Sequence, residues 1–162
     1  MTSEEQDDVC LSWMTMSETS LDIFMDNAGG IASRQQVKDF FDGKCGMCTR
    51  ARNQLLRMNR TGRLRTEPLQ KPGTAERLGV APEHLMESVW WLDSSGAVLG
   101  GAKAANAAVS AALGTRLPLW VYGIPGIGAL QERFYRWVAT HRYHFRGVTP
   151  WCESAPAECV SA

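Results

Sequence analysis

Two thiols carry the strongest chemical signal in the chain. They are Cys45 and Cys48, in the run Asp42-Gly43-Lys44-Cys45-Gly46-Met47-Cys48. At this spacing one thiolate can attack a disulfide and the other can resolve the resulting mixed disulfide. The flanking sequence adds to the case. An apolar stretch precedes the pair and a helical pattern follows it, so Cys45 falls at a predicted strand-to-helix turn. Unpaired N–H groups and the partial positive charge of a helix start favour a thiolate there. Lys44 adds positive charge in the same sense. Cys45 is then the expected nucleophile on the exposed rim, with Cys48 the resolving thiol one turn inward. Gly46 leaves room for a partner backbone. Asp42 can act as a proton carrier for Cys48 or as a turn and helix cap.

Two other chemistries use the same residues. A Cys-x-x-Cys can be half of a zinc site, which needs a second pair of ligands. The only further candidates are His141, His144, Cys152 and Cys159, at spacings that match no zinc pattern. A phosphate-binding cysteine loop would need an arginine where this chain has Ala51, with Arg50 one position short.

The elements that must position the dithiol follow from pattern. Residues 37–41 end in Phe40-Phe41 and read as a strand entering the Asp42-Gly43 turn. From residue 45 to about 59, Cys48, Ala51, Leu55 and Met58 fall on one helical stripe, away from Arg50, Arg57 and Arg60. Residues 64–69 read as a second strand and 74–78 as a short helix ending at Gly79, with another helix near Pro82. Residues 88–93 and 97–99 flank Ser94-Ser95-Gly96, a hairpin signal. Residues 102–113 are Ala-rich and helical, and Gly114 closes them. Leu130, Phe134, Trp137, Val138, His141 and Phe145 define a later amphipathic helix whose apolar stripe should face the core. The segment from Leu117, with Trp120, Tyr122, Ile124 and Ile127, is expected to pack over the sheet. This order indicates a mixed α/β domain, helices covering a small sheet.

Composition bounds the setting. The 162 residues are 44% apolar, enough for a core. Net charge is zero, yet seven of the 17 acidic residues lie in the first 30 positions, which hold no Lys or Arg. Residues 1–33 therefore read as an acidic, disordered extension, and 153–162 as a flexible tail. The basic remainder brings no nucleic-acid motif, so a nucleic-acid partner is not expected. No secretory leader or transmembrane segment is legible, and the expected compartment is the cytoplasm. Structural disulfides are rare there, and five cysteines cannot all pair internally.

Phe40-Phe41-Asp42-Gly43-x-Cys45-x-x-Cys48 resembles the signature of the DCC family of thiol–disulfide oxidoreductases, named for its Asp and two Cys. Further matches follow in order: Gly62-Arg63-Leu64-Arg65 with Pro68-Leu69-Gln70, Ala75 to Gly79, Ser88 to Asp93 with Gly96, Tyr135-Arg136-x-Val138-Ala139 leading to Arg142-Tyr143, then Gly147 and Cys152. The resemblance spans residues 37–152 and sets the expected domain at 34–152. It implies a thioredoxin-like fold with extra C-terminal helices, and a dithiol activity that needs no dissociable cofactor and no metal. The substrate would be a protein or a low-molecular-weight thiol or disulfide. Cys152 matches a late family cysteine and is a candidate third thiol that could receive the disulfide from Cys45 and Cys48; the expected reading is a bystander with no obligatory part in the dithiol cycle. Two departures stand out. Gly101-Ala102 replaces a frequent Ser, and Glu87-Ser88 stands where thioredoxins carry a cis-proline.

Of the remaining candidates, His141 is expected to be a hydrogen-bonded, half-buried side chain. Trp90 and Trp91 should point to opposite faces of their strand, one of them into the core.

Overall fold

The computed structural model describes residues 36–159. The acidic extension expected at residues 1–33, and Cys10 within it, lie outside them, as do residues 160–162.

Four strands form one mixed sheet in the order β2-β1-β3-β4. β1 (Val37–Phe41) runs parallel to β2 (Leu64–Pro68) and antiparallel to β3 (Trp90–Leu92). β4 (Val98–Gly100) closes the edge as a hairpin with β3. Parallel β1 and β2 need a crossover, and α1 (Gly46–Arg57) supplies it. Two short helices, α2 (Thr74–Leu78) and α3 (Pro82–Leu85), link β2 to β3. After β4 come α4 (Gly101–Leu113), α5 (Leu117–Tyr122), α6 (Ile127–His141) and a 3₁₀ turn, Arg142–His144. The last described elements are α7 (Trp151–Ser154) and a second 3₁₀ turn, Pro156–Glu158. Among the described residues, a four-stranded mixed sheet flanked by seven α-helices is the α/β, thioredoxin-like arrangement that the sequence led us to expect.

Side chains alternate across β1 and so divide the core. Phe40 points to the α2–α3 side and packs with Leu69 and Leu78, among Val80, Leu85, Trp90 and Leu92. Trp90 therefore does not face outward: it lies against this cluster and its indole N–H donates to the Leu85 carbonyl at 2.9 Å. Trp91 is the buried one of the pair. Val37, Asp39 and Phe41 point the other way. On α4, Ala104, Ala107, Ala108 and Ala111 are buried, and small side chains let a helix approach its neighbours closely.

The first turn of α4 has no capping side chain of its own. Glu132 of α6 fills that role and accepts from the Ala102 and Lys103 N–H groups at 3.3 and 3.2 Å. Tyr122 of α5 donates its hydroxyl to the same carboxylate at 3.0 Å. One side chain thus ties three helices together. Gly101 has a φ of +66°, and a Cβ there would sit 2.6 Å from the Glu132 carboxylate. That close approach explains a glycine at this position.

The outer face of α5 and α6 departs from expectation. Trp120, Leu130, Phe134 and Trp137 were expected to pack inward, yet they are 67%, 63%, 63% and 52% exposed. α6 is apolar on two faces: its Tyr135, Val138 and Ala139 line an inner cavity, on the side of the domain that Glu132 also reaches. The outward aromatics pack on one another instead, with Phe134 and Trp137 stacked at 6.1 Å.

Candidate active site

β1 ends in a tight turn, where the Cys45 N–H donates to the Asp42 carbonyl at 3.2 Å, and α1 begins at once. Cys45 is the N-cap of α1 and its Sγ accepts the Cys48 N–H at 3.2 Å. A negative sulphur here meets both a hydrogen-bond donor and the positive end of a helix. The Cys48 thiol, one turn on, donates to Cys45 Sγ at 2.6 Å. Closing to a disulfide, about 2.05 Å between sulphurs, needs only a small shift. Burial pushes the Cys48 thiol well above the usual thiol range; the Cys45 sulphur and the Asp42 charge add to the shift, and Arg142 opposes it.

The relative exposure of the two thiols corrects the sequence reading. Cys45 is fully buried, whereas Cys48 is partly exposed. The chain's own segment after the Arg142–His144 turn packs as a cover on the residues either side of Cys45. The Val148 N–H donates to the Gly46 carbonyl at 3.2 Å, and the Cys152 N–H to the Gly43 carbonyl at 3.0 Å. The Trp151 N–H donates to Thr49 Oγ1 at 3.1 Å. Its ring packs edge-on against Phe41 and lies 4.2 Å beneath the Arg52 guanidinium. Gly46 does receive a backbone, as expected of it, but that backbone is Gly147-Val148 of this chain. A Cβ on Gly46 would come within 2.5 Å of the Val148 carbonyl, and one on Gly147 would collide with Gly46.

Cys152 is not a third free thiol: it is disulfide-bonded to Cys159. This also departs from the expectation that the cysteines do not build disulfides. Residues 151–159 carry α7 and a 3₁₀ turn, spanned by that bond.

Asp42 is buried and saturated with partners. Its Oδ1 accepts from the Lys44 N–H at 3.0 Å and from Gln70 Nε2 at 2.8 Å. Its Oδ2 accepts from the Tyr143 hydroxyl at 2.8 Å and lies 3.4 Å from Arg142 Nη2. It is a turn cap and the counter-ion of Arg142 at once. Gly43 donates to Gln70 Oε1 at 2.9 Å, and a Cβ there would meet Cys152 Sγ at 2.7 Å. Lys44 is exposed, so the cation that faces Cys48 is Arg142.

Beside Cys48 opens a cavity of about 250 Å³. The stripe of α1 read from sequence (Cys48, Ala51, Leu55, Met58) forms one wall, and Ala108, Val109, Tyr135 and Val138 another. Asp39 lines it from β1. Its Oδ1 has no hydrogen-bond partner, and burial raises the carboxyl to about 7. The sequence reading passed over Asp39. A signal was present: an acid at the inward position between Val37 and Phe41 of a strand. Ser88, of the Glu87-Ser88 pair singled out above, and Val89 line the cavity, and among the described residues no peptide bond is cis. The Val89 N–H is taken by the Tyr135 hydroxyl at 2.7 Å.

The family model for DCC1-like thiol-disulfide oxidoreductases matches residues 40–148. The chain belongs to that family. The match covers the dithiol, β2 to β4, α6 and the Gly147-Val148 cover of this DCC1-like protein. No curated protein and no solved structure matches the chain. The family carries thiol–disulfide oxidoreductase chemistry in general terms, and the adjacent Cys45 and Cys48 sulphurs fit it.

The other sequence candidates lie elsewhere. His141 is exposed rather than half-buried, and its Nδ1 lies 2.8 Å from the Trp137 carbonyl oxygen. Its ring centroid is 6.2 Å from that of His144. Among the described residues, no group of three or more His, Cys, Asp or Glu is arranged to hold a metal. None of their helices is long and apolar enough to cross a membrane.

Proposed function

We propose that this DCC1-like protein exchanges disulfides with a protein or low-molecular-weight partner through Cys45 and Cys48. Cys45 is the attacking thiol and Cys48 the resolving one. The observation that carries the assignment is the position of Cys45 Sγ at the α1 N-cap, accepting the Cys48 N–H with Cys48 Sγ 2.6 Å away. Its thiolate attacks one sulphur of the substrate disulfide, forming a mixed disulfide and releasing the other sulphur as a thiolate. Cys48 then loses its proton and attacks Cys45 Sγ. The Cys45–Cys48 disulfide forms and the second substrate sulphur leaves as a thiolate. The substrate is reduced by two electrons, and a second thiol partner restores the dithiol.

The raised pKa of Cys48 means the resolving step needs a proton acceptor. Asp39 suits that role better than Asp42. It lines the same cavity as Cys48, has a free oxygen and titrates near neutrality, whereas both Asp42 oxygens are engaged. We assign Asp42, Gly43 and Gly46 to shaping the turn and its cover, and Lys44 to the exposed rim. Because Cys45 is fully buried, attack requires the cover at residues 147–152 to lift.

The test is a trap. Incubated with a disulfide-bonded peptide, the Cys48→Ser variant should accumulate a mixed disulfide on Cys45, seen by peptide mapping. A stable mixed disulfide on Cys48 in the Cys45→Ser variant, and none on Cys45 in Cys48→Ser, would reverse the roles.

A further inference from the structure

Resting on that reading, we propose that Cys152–Cys159 is a second redox couple, the internal exchange partner of the Cys45–Cys48 dithiol. Four observations converge on it. Cys152 is held on the motif turn itself, its N–H donating to the Gly43 carbonyl at 3.0 Å. Its Sγ packs so closely on Gly43 that a Cβ there would stand 2.7 Å away. It also lies 3.8 Å from Gln70 Oε1, the oxygen that binds the Gly43 N–H. Only Lys44 separates Gly43 from Cys45, and the turn is closed by the Cys45 N–H to the Asp42 carbonyl. Finally, the segment that carries Cys152 is hydrogen-bonded on either side of the buried Cys45, to the Gly43 and Gly46 carbonyls. The sulphur brought against the buried nucleophile's turn thus belongs to a disulfide of the same chain.

The exchange balances without an outside reagent. The Cys45 thiolate attacks Cys152 Sγ. The Cys152–Cys159 bond breaks, a Cys45–Cys152 bond forms and Cys159 leaves as a thiolate. Cys48 gives up its proton and attacks Cys45 Sγ, releasing the Cys152 thiolate. Two electrons pass from the Cys45–Cys48 dithiol to the Cys152–Cys159 disulfide, and one proton moves from Cys48 to the released thiols. The mixed disulfide requires the Cys45 and Cys152 Cα atoms to come within about 7 Å. Contact of Cys152 with Gly43 makes this a local shift of the cover. The consequence is a protein that stores two disulfides and moves oxidising equivalents between a buried site and its C-terminal segment.

The experiment uses the full chain with Cys10→Ser throughout. In Cys48→Ser/Cys159→Ser, mild oxidation with glutathione disulfide should yield an internal Cys45–Cys152 disulfide at a rate independent of protein concentration. A second measurement does not depend on that variant folding. The Cys10→Ser protein, fully oxidised, is given one equivalent of dithiothreitol and mapped over time. Both internal disulfides should relax to one final ratio, reached also from protein whose Cys45–Cys48 bond alone was reduced at the start. Glutathionylated Cys45 and Cys152 without a mutual bond, or a ratio that keeps its starting value, would overturn the relay. Turnover of a model disulfide by the Cys10→Ser protein is read in parallel. Turnover without internal exchange sinks the relay alone; its absence sinks the reading on which the relay rests.

Discussion

Replacing Asp39 with Asn should change how stability depends on pH. Burial disfavours the charge of the folded carboxyl and raises its pKa from the ordinary 3.8 to about 7. The folded state therefore holds this proton more tightly than the unfolded chain. Below about pH 4 both states keep it and it costs nothing. As pH rises from about 4 to 7 the unfolded chain ionises first, so stability falls; above 7 the deficit levels off. A gap of about three pKa units corresponds to about 4 kcal/mol at full extent, and about 3 kcal/mol of it develops between pH 5 and 8. Asn cannot ionise, so the variant should lack this slope. Its amide must still be accommodated in an apolar cavity, at a roughly pH-independent cost of about 1–3 kcal/mol. The assay is urea unfolding of oxidised wild type and Asp39→Asn at pH 5 and 8, which keeps the dithiol from titrating. The variant should gain about 3 kcal/mol relative to wild type on going from pH 5 to 8. Equal differences at the two pH values would refute the burial argument, and with it the choice of Asp39 as proton carrier.

Three further outcomes follow from the site. Gly46→Ala should displace the Val148 carbonyl, cost about 1 kcal/mol for the lost hydrogen bond and speed alkylation of Cys45 several-fold. Asp42→Asn leaves the half-buried Arg142 without its counter-ion and should destabilise the fold by about 3 kcal/mol in thermal or urea unfolding. Deleting residues 1–33 should leave both the unfolding midpoint and the turnover of a model disulfide unchanged, since the family match begins at residue 40.

Local pattern carried much of the fold. Strand β1, the α1 stripe, the hairpin around Ser94-Ser95-Gly96 and the Ala-rich α4 each follow from periodicity and turn residues close in sequence. The dithiol and its place at a helix start were legible for the same reason. What was not legible depends on contacts between distant segments. The cover over Cys45 arises from glycines at 46 and 147 packing backbone to backbone, which neither neighbourhood announces. The Cys152–Cys159 bond joins residues seven apart in a segment without periodicity, and cysteine count alone could not choose it. Asp39 sits in a strand whose apolar neighbours hid it, and its significance lies in a cavity built by α1, α4 and α6. The apolar stripe of α6 showed that a helix was present but not which face it buries, because both faces are apolar.

The central claim is that Cys45 and Cys48 are the redox centre. It is tested most directly by equilibrating the protein in glutathione buffers of graded potential and quantifying each cysteine by alkylation and mass spectrometry, with turnover measured alongside. Cys45 and Cys48 should convert together between dithiol and mutual disulfide in one two-electron transition, about 30 mV per tenfold change in the equilibrium ratio. Turnover should be lost in both Cys45→Ser and Cys48→Ser. A Cys45 that stays reduced across the range, or turnover that survives its replacement, would contradict the account.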